Sequence, residues 1–303
     1  MLTPRNYGAS ASPRVRTLLP GVRASILVRA CISSLGLTLL LLITSCADLS
    51  AVAKFADSAK SAAEGFSDIA KDFAASAARR SLYVSDDRKA TVLEDAAHYK
   101  ALEPDMLAAQ KVLTDYISGL ADIATDNPAS RDASITATQG GLEKVGMSAD
   151  QATAGVGLIS KLVDAAVNTY RANKAGKVIR ECNPLLQDYL KGLQHIVDTD
   201  YPRVLDAEKI SAEGYYEGLL HRYGDKEPLA AVTIRVQMQQ DLDGIEKKRA
   251  AAQAYVKILT DIGAGHQKLY DAGEHMDAKQ MIVTLEPYIK DIATQSVAVV
   301  KAF

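Results

Sequence analysis

A repeating pattern of small and apolar residues covers residues 47–80 and restricts this stretch to a long helix. Apolar residues recur there at alternating spacings of three and four, the heptad periodicity of helices that pack side by side. The stretch contains no proline, so no residue in it forces the helix to end. The residues of this seam are Leu49, Val52, Ala56, Ala59, Ala63, Phe66, Ala70, Phe73 and Ala77.

Two interpretations of the seam are open. Its small side chains would let a partner helix approach closely, as in a stalk or an oligomeric coiled coil. Because alanine buries little apolar surface, an isolated coiled coil on this seam would be weak. We therefore favour an amphipathic helix that packs against the chain's own bundle.

The remainder of the chain also has helical character. Alanine is abundant, tryptophan is absent and β-branched residues are scattered rather than alternating, which is typical of helices. Turn signals at residues 126–128, 224–228 and 272–273 separate the helical stretches. The sequence thus predicts an all-α fold, specifically an elongated antiparallel helical bundle with coiled-coil-like long helices.

Three prolines mark expected helix starts or bends. Asn183 followed by Pro184 has the pattern of an N-cap and a first helical residue. Pro104 likewise predicts a helix start or a kinked continuation. Pro202 should kink or break the helix that contains it.

The segment after residue 148 combines a helix start with an apolar run around Gly155. Ser148 and Gln151 form a capping-box pattern. The run resembles a membrane-inserting hairpin of some helical pore formers, but Lys161 and Asp164 follow it at once. It is also shorter than the roughly 20 residues that a spanning helix needs. We therefore favour close helix packing at Gly155.

The first 46 residues differ from the rest in charge and hydropathy. Residues 1–29 contain arginines but no acidic residue, and residues 30–45 carry no charge. The aliphatic block at residues 37–43 is too short to span a bilayer, which takes about 20 residues. A basic segment, a short apolar segment and small residues before a cleavage site form the pattern of a secretory signal.

The end of this segment, Ile43, Thr44, Ser45 and Cys46, resembles the lipobox of bacterial lipoproteins. The resemblance covers about the first 46 residues. It implies that residues 1–45 are a signal peptide cleaved between Ser45 and Cys46, and that the Cys46 thiol is lipidated. An uncleaved signal anchor and a buried helix with an accidental cysteine are the alternatives.

The residue after the cysteine indicates which membrane to expect. In the lipoproteins of enteric bacteria that this segment resembles, an aspartate directly after the cysteine is associated with retention in the inner membrane. Here Ala47 occupies it, and Asp48 follows one place later. The resemblance therefore implies an anchor on the periplasmic face of the outer membrane rather than the inner membrane.

The body that remains after residue 45 is acidic. The whole chain has 35 basic and 37 acidic side chains, and the signal removes arginines but no acidic residue. This balance argues against nucleic-acid binding, which needs clustered lysine and arginine. Beyond Cys46, the body keeps only Cys182, so we expect no internal disulfide and a small buried apolar role for Cys182.

A polar stretch at residues 129–139, followed by Gly140 and Gly141, is the best candidate for a flexible connection. We predict an N-terminal helical segment at residues 46–139 and a C-terminal helical bundle at residues 140–303. One continuous domain at residues 46–303 is the alternative.

Motifs of catalysis are missing from the sequence: we find no nucleophile elbow, phosphate loop, dinucleotide fingerprint or zinc signature. The densest group of potential metal ligands contains His266 and His275 with the acidic residues Asp271, Glu274 and Asp277. A metal-binding or catalytic role is one hypothesis for this group. A solvated helix terminus is the interpretation that we favour.

Tyrosines are frequent in the second half of the chain and could line a peptide or glycan groove. We favour half-buried packing residues with hydrated hydroxyls. These tyrosines are Tyr189, Tyr201, Tyr215, Tyr216 and Tyr223.

Together these features predict a lipid-anchored, periplasm-facing helical protein that is a structural or interaction module of the bacterial cell envelope. We expect no enzymatic activity, no cofactor and no nucleic acid. The expected partners are the membrane, reached through the N-terminal lipid, and a protein partner or a second copy of the chain. One alternative is a metal-binding or enzymatic protein that uses residues 266–277, and another is a pore-forming or lysis-type protein that uses the Gly155 segment.

Overall fold

The computed structural model describes residues 49–125, 138–167, 171–273 and 278–303. These residues are helical and contain no strand, which confirms the predicted all-α bundle. Ser45 and Cys46 of the predicted signal, and His275 of the predicted ligand group, lie outside the described residues. The helices are α1 (Ser50–Ala63), α2 (Phe66–Arg80), α3 (Asp86–Thr125), α4 (Gln139–Lys144), α5 (Ala149–Val167), α6 (Arg171–His195), a π-helical turn (Ile196–Asp200), α7 (Tyr201–Tyr223), α8 (Pro228–Ala272) and α9 (Ala278–Val300).

The seam is divided between α1 and α2, which a turn at Glu64 and Gly65 separates. Its residues from Val52 to Ala77 are buried, and α1 and α2 pack against α3, α7, α8 and α9. A Cβ at Gly65 would lie 3.1 Å from Cγ1 of Val299, so the turn fits closely against α9. The seam therefore packs within the chain's own bundle, as favoured from the sequence.

The two longest helices, α3 and α8, contain 40 and 45 residues and run alongside α1 and α2. The Tyr255 hydroxyl in α8 donates a hydrogen bond to the carbonyl of Ala63 at 3.0 Å. Lys248 lies before Tyr255 in α8, and it forms an ion pair at 2.9 Å with Asp72 of α2, which lies after Ala63 in the chain. This order of contacts shows that α8 runs antiparallel to α1 and α2.

The proline-based predictions had mixed outcomes. Pro104 lies inside α3 and Pro184 inside α6, so the helix start predicted after Asn183 is wrong. Although an internal proline removes one backbone hydrogen bond, the buried residues on both sides of Pro184 keep that part of α6 in the core. At Pro202 the chain stays helical, so the predicted break is absent, but the π-helical turn Ile196–Asp200 distorts the helix just before this proline.

Three local signals are confirmed. The backbone N–H of Ser148 donates to Oε1 of Gln151 at 2.9 Å, and the N–H of Gln151 donates to Oγ of Ser148 at 3.3 Å, as a capping box requires. The loop before Pro228 separates α7 from α8. Gly273, with φ +61°, ends α8 in a conformation that favours glycine.

Residues from Ala47 to Phe303 form one compact unit. In it, α3 packs against α4, α5 and α6, so helices on both sides of residue 139 share a core. Within the ranges that the structure describes, no helix combines the length and the apolar character needed to cross a bilayer.

Candidate functional site

His266, the predicted ligand candidate, lies in the core between α3, α6 and α8 and is 1% exposed. Its Nε2 atom is 2.6 Å from the Tyr116 hydroxyl, and its Nδ1 atom is 2.9 Å from Oδ1 of Asn183. The interpretation of His266 as part of a solvated helix terminus is therefore wrong. The sequence could not reveal this burial, because both partners are distant in sequence, on α3 and α6.

The contacts of His266 continue outward in one direction. Nδ2 of Asn183 donates to Oε1 of Gln267 at 2.7 Å, and Nε2 of Gln267 donates to Oδ1 of the exposed Asp271 at 2.8 Å. The carboxylate of Asp271 can only accept, so each amide in turn donates towards it and Oδ1 of Asn183 is left to accept from Nδ1 of His266. Nε2 of His266 then accepts from the Tyr116 hydroxyl. We call Tyr116, His266, Asn183, Gln267 and Asp271 the polar chain.

Burial controls the protonation of this region. It lowers the pKa of His266 to about 3, so the ring is neutral and can both accept and donate within the polar chain. Burial also raises the pKa of the neighbouring Cys182 thiol to about 12 and that of Tyr116 well above its usual value. Cys182 is a free, fully buried thiol, which confirms its predicted apolar role.

The polar chain leaves His266 no free nitrogen for a metal. Across the residues described by the structure, no three His, Cys, Asp or Glu side chains form a group that could hold a metal ion. His275, Glu274 and Asp277 lie outside those residues, so a metal site that includes them stays a prediction.

A second buried polar group, which we did not expect from the sequence, joins α2, α7 and α8. Asp72 is 6% exposed and Glu208 is 2% exposed. Such acidic residues are rarely buried unless they are paired. We call this group the charged cluster, and its members are Asp72, Ser76, Arg79, Tyr201, Glu208 and Lys248.

Arg79 lies at the centre of the charged cluster and binds both carboxylates. Its Nε and Nη2 atoms donate to Glu208 at 2.6 and 3.0 Å, and its Nη1 and Nη2 atoms donate to Asp72 at 2.9 and 3.1 Å. Burial opposes the charge, but the hydrogen bonds to Glu208 and Asp72 outweigh it and raise the pKa of Arg79. Lys248 supplies the second positive charge, so two acids and two bases balance.

One signal in the sequence could have indicated this cluster. Asp72, Ser76 and Arg79 are spaced by four and three residues, so they share one face of α2 beside the seam. A polar stripe next to an apolar seam usually faces solvent. Its partners on α7 and α8 are more than a hundred residues away, so pattern alone does not pair them.

The α7–α8 hairpin extends beyond the other helices. We call residues 217–244 the arm; in it only Ala231 is buried. The Tyr83 hydroxyl, in the turn that follows α2, donates a hydrogen bond to Asp241 of α8 at 2.9 Å. Beyond Asp241, α8 continues for about 20 Å to its first residue, Pro228, at 1.5 Å per residue.

The start of α8 has apolar residues on two faces. Ala231, Ile234 and Met238 form the face that is buried or half-buried. On the opposite side, the apolar outer face consists of Leu229, Val232 and Val236, which are 83%, 55% and 52% exposed. Residues 228–240 contain a single charge, that of Arg235. A helix that is apolar on both faces is expected to contact partners on both.

The predicted tyrosine group is divided by the fold. Tyr189 and Tyr201 are fully buried, while Tyr215 and Tyr223 are 41% and 40% exposed. At the base of the arm, the rings of Tyr215 and Tyr216 each lie 5.9 Å from that of Tyr83 and 5.3 Å from one another, measured between ring centroids. The hydroxyls of Tyr83 and Tyr216 both donate to Asp241, so this aromatic group fixes the arm to the turn that follows α2.

Gly155 packs closely against another helix, as favoured from the sequence. A Cβ at this position would lie 2.6 Å from Cε2 of Tyr189 in α6. The Tyr189 hydroxyl in turn donates to the carbonyl of Ala109 at 2.5 Å. The apolar run around Gly155 thus forms part of the contact between α5, α6 and α3.

No family model, curated protein or solved structure matches this chain. Its function must therefore be argued from the residues themselves.

Proposed function

We propose that this protein is a lipid-anchored, periplasm-facing interaction module of the bacterial cell envelope, held by Cys46 and without enzymatic activity. The observation that supports the anchor is the signal-like segment that ends in Ile43, Thr44, Ser45 and Cys46. The observation that supports the interaction is the apolar outer face of the arm, Leu229, Val232 and Val236.

The positions of the two ends of α8 support a division between anchoring and binding. Phe55, near the start of α1, contacts Gly265 so closely that a Cβ on Gly265 would overlap the ring. From Gly265 to Pro228, α8 extends for about 55 Å at 1.5 Å per residue. The arm therefore lies far from the start of α1. Ser50, the first residue of α1, is only four residues after Cys46 in the sequence.

The two buried polar groups support a structural rather than a catalytic use of their side chains. Asp72 and Glu208 of the charged cluster and His266 of the polar chain are each bound by a partner on a neighbouring helix. Each group fixes helices to one another. The surface that we propose for a partner is the arm, and the partner is a protein or a second copy of this chain that covers the outer face.

The anchor is tested by intact mass spectrometry of membrane-extracted protein, with Cys46→Ala as the variant. We expect the parent chain to begin at Cys46 and to carry the added mass of acyl chains. The variant should lose both features and should leave the membrane fraction. An unprocessed parent chain, or cleavage at another position, would contradict the proposal.

The interaction is tested by a photo-crosslinking residue placed at Val232 in cells, with an identical residue at the exposed Glu94 on α3 as the control. We expect a discrete crosslinked species at position 232 and none at position 94. Leu229→Gln should weaken that species without lowering the stability of the fold, because Leu229 is 83% exposed. Equal crosslinking at both positions would refute the arm as the interaction surface.

A further inference from the structure

We propose that the contact of His266 with Tyr116 and Asn183 is an acid-released latch. In the closed state it holds α8 against α3 and α6, and protonation of His266 loosens these three helices while the charged cluster stays closed.

The latch joins one residue from each helix. His266 lies on α8, Tyr116 on α3 and Asn183 on α6, and the two contacts measure 2.6 and 2.9 Å. Asn183 is held in place by Gln187, whose Nε2 also donates to the carbonyl of Gly263 at 2.9 Å. Every member therefore has a defined hydrogen-bonding role while the ring is neutral.

Protonation removes one of these roles. A charged imidazole donates from both nitrogens, so the Tyr116 hydroxyl can no longer donate to Nε2. The Cys182 sulfur also interacts with that hydroxyl, but it is a weak acceptor. Protonation thus leaves a buried charge and an unsatisfied buried donor in the same place.

Among the described residues, neither direct partner of the ring carries a charge: the Tyr116 hydroxyl on α3 contacts Nε2, and the Asn183 amide on α6 contacts Nδ1. The Cys182 thiol on α6 interacts with Tyr116. Burial is the cause of the lowered pKa of His266. Asp271 is connected to the ring only through Gln267 and Asn183.

The sign of the pH dependence follows from the two states. The pKa of His266 is about 3 in the folded protein, against about 6.5 for an unfolded histidine. The folded state therefore binds fewer protons between these values, and stability falls as the pH falls from 6.5 towards 3. From pH 8 to pH 5, this histidine alone should lower the ratio of folded to unfolded protein about 30-fold.

The test measures urea unfolding of the full chain at pH 8, 6.5 and 5 for the parent, for His266→Gln and for His221→Gln. His221 is exposed on the arm and is the matched control. In the parent and in the control, we expect the ratio of folded to unfolded protein to include the decrease of about 30-fold from pH 8 to pH 5. In His266→Gln that contribution should be absent. The same pH dependence in all three proteins would overturn the proposal.

A second measurement does not need a folded variant. In the parent, the NMR signal of His266 should stay constant above pH 5, although a free imidazole titrates near 6.5. As the pH is lowered to 5, the rate of amide hydrogen exchange, corrected for the intrinsic effect of pH, should increase around residues 116, 183 and 266. Around residue 72 it should increase only at a lower pH. Titration of His266 near 6.5 in the folded protein, or exchange that increases around residue 72 first, would refute the latch.

Discussion

The charged cluster and the polar chain perform the same task by opposite chemistry. Each joins three helices, and both include α8. The charged cluster uses four charges, and its cations retain solvent contact, with Arg79 31% and Lys248 17% exposed. The polar chain places His266 at 1% exposure and holds it with neutral partners.

The difference shows how burial selects the kind of polar contact. Charges that are paired and keep one side near solvent avoid much of the desolvation cost. A fully buried site cannot do so, because an unpaired charge there has no adequate partner. The polar chain therefore depends on a neutral imidazole, whereas the charged cluster depends on the presence of all its ions.

Removal of one ion should have the largest effect. Asp72→Ala leaves Arg79 and Lys248 without a carboxylate that both of them bind, and we expect a loss of about 3–5 kcal/mol in the free energy of unfolding. Urea denaturation measures it. The control is Asp68→Ala, whose ion pair with Lys71 is exposed and 4.0 Å long, and which should cost less than about 1 kcal/mol. Similar losses in both variants would show that the charged cluster adds no stability.

A matched pair of hydroxyl deletions compares the two groups directly. Tyr116→Phe leaves Nε2 of the buried His266 without a donor, which should cost about 1–3 kcal/mol of unfolding free energy. Tyr201→Phe removes a donor to Asp72 at 2.7 Å, but Arg79 and Lys248 remain, so about 0.5–1.5 kcal/mol is expected. Both are measured by urea denaturation, and a larger loss for Tyr201→Phe would reverse the comparison.

The smallest signal is expected from chemical labelling of Cys182 at pH 8. Burial raises the pKa of this thiol to about 12 and keeps reagents away, so the folded protein should resist maleimide. Mass mapping of the Cys182 peptide measures the modification, and the same chain in urea is the control. Equal rates in the two conditions would mean that the core around the polar chain opens readily.

The sequence predicted those features that depend on local order. Alanine-rich periodicity indicated the helices, and the Ser148 capping box and the Gly273 terminus have the expected structure. Pro184 misled the prediction, because tertiary packing keeps a helix through a proline when its neighbours are buried. Asn183, expected to cap that helix, instead binds His266 in the core.

The candidate sites were harder to predict, because their members meet only through the fold. The residues bound to His266 lie on α3 and α6, and those bound to Arg79 lie on α2 and α7. Single-sequence patterns do not contain such distant pairs. The outer face of the arm lies in a stretch whose single charge is that of Arg235, and its exposure depends on where the neighbouring helices end.

The continuity of α8 has a mechanical consequence. The same uninterrupted helix forms half of the arm and, further along, the wall of the core. A force on the tip near Pro228 therefore acts through α8 as through a lever. The first point at which the lever is held is Asp241, which is bound by Tyr83 and Tyr216, and the second is Lys248 in the charged cluster. A torque applied at the tip would stress the bonds to Asp241 first and the charged cluster next. Because no loop interrupts α8 between the tip and the core, the force would reach the body directly.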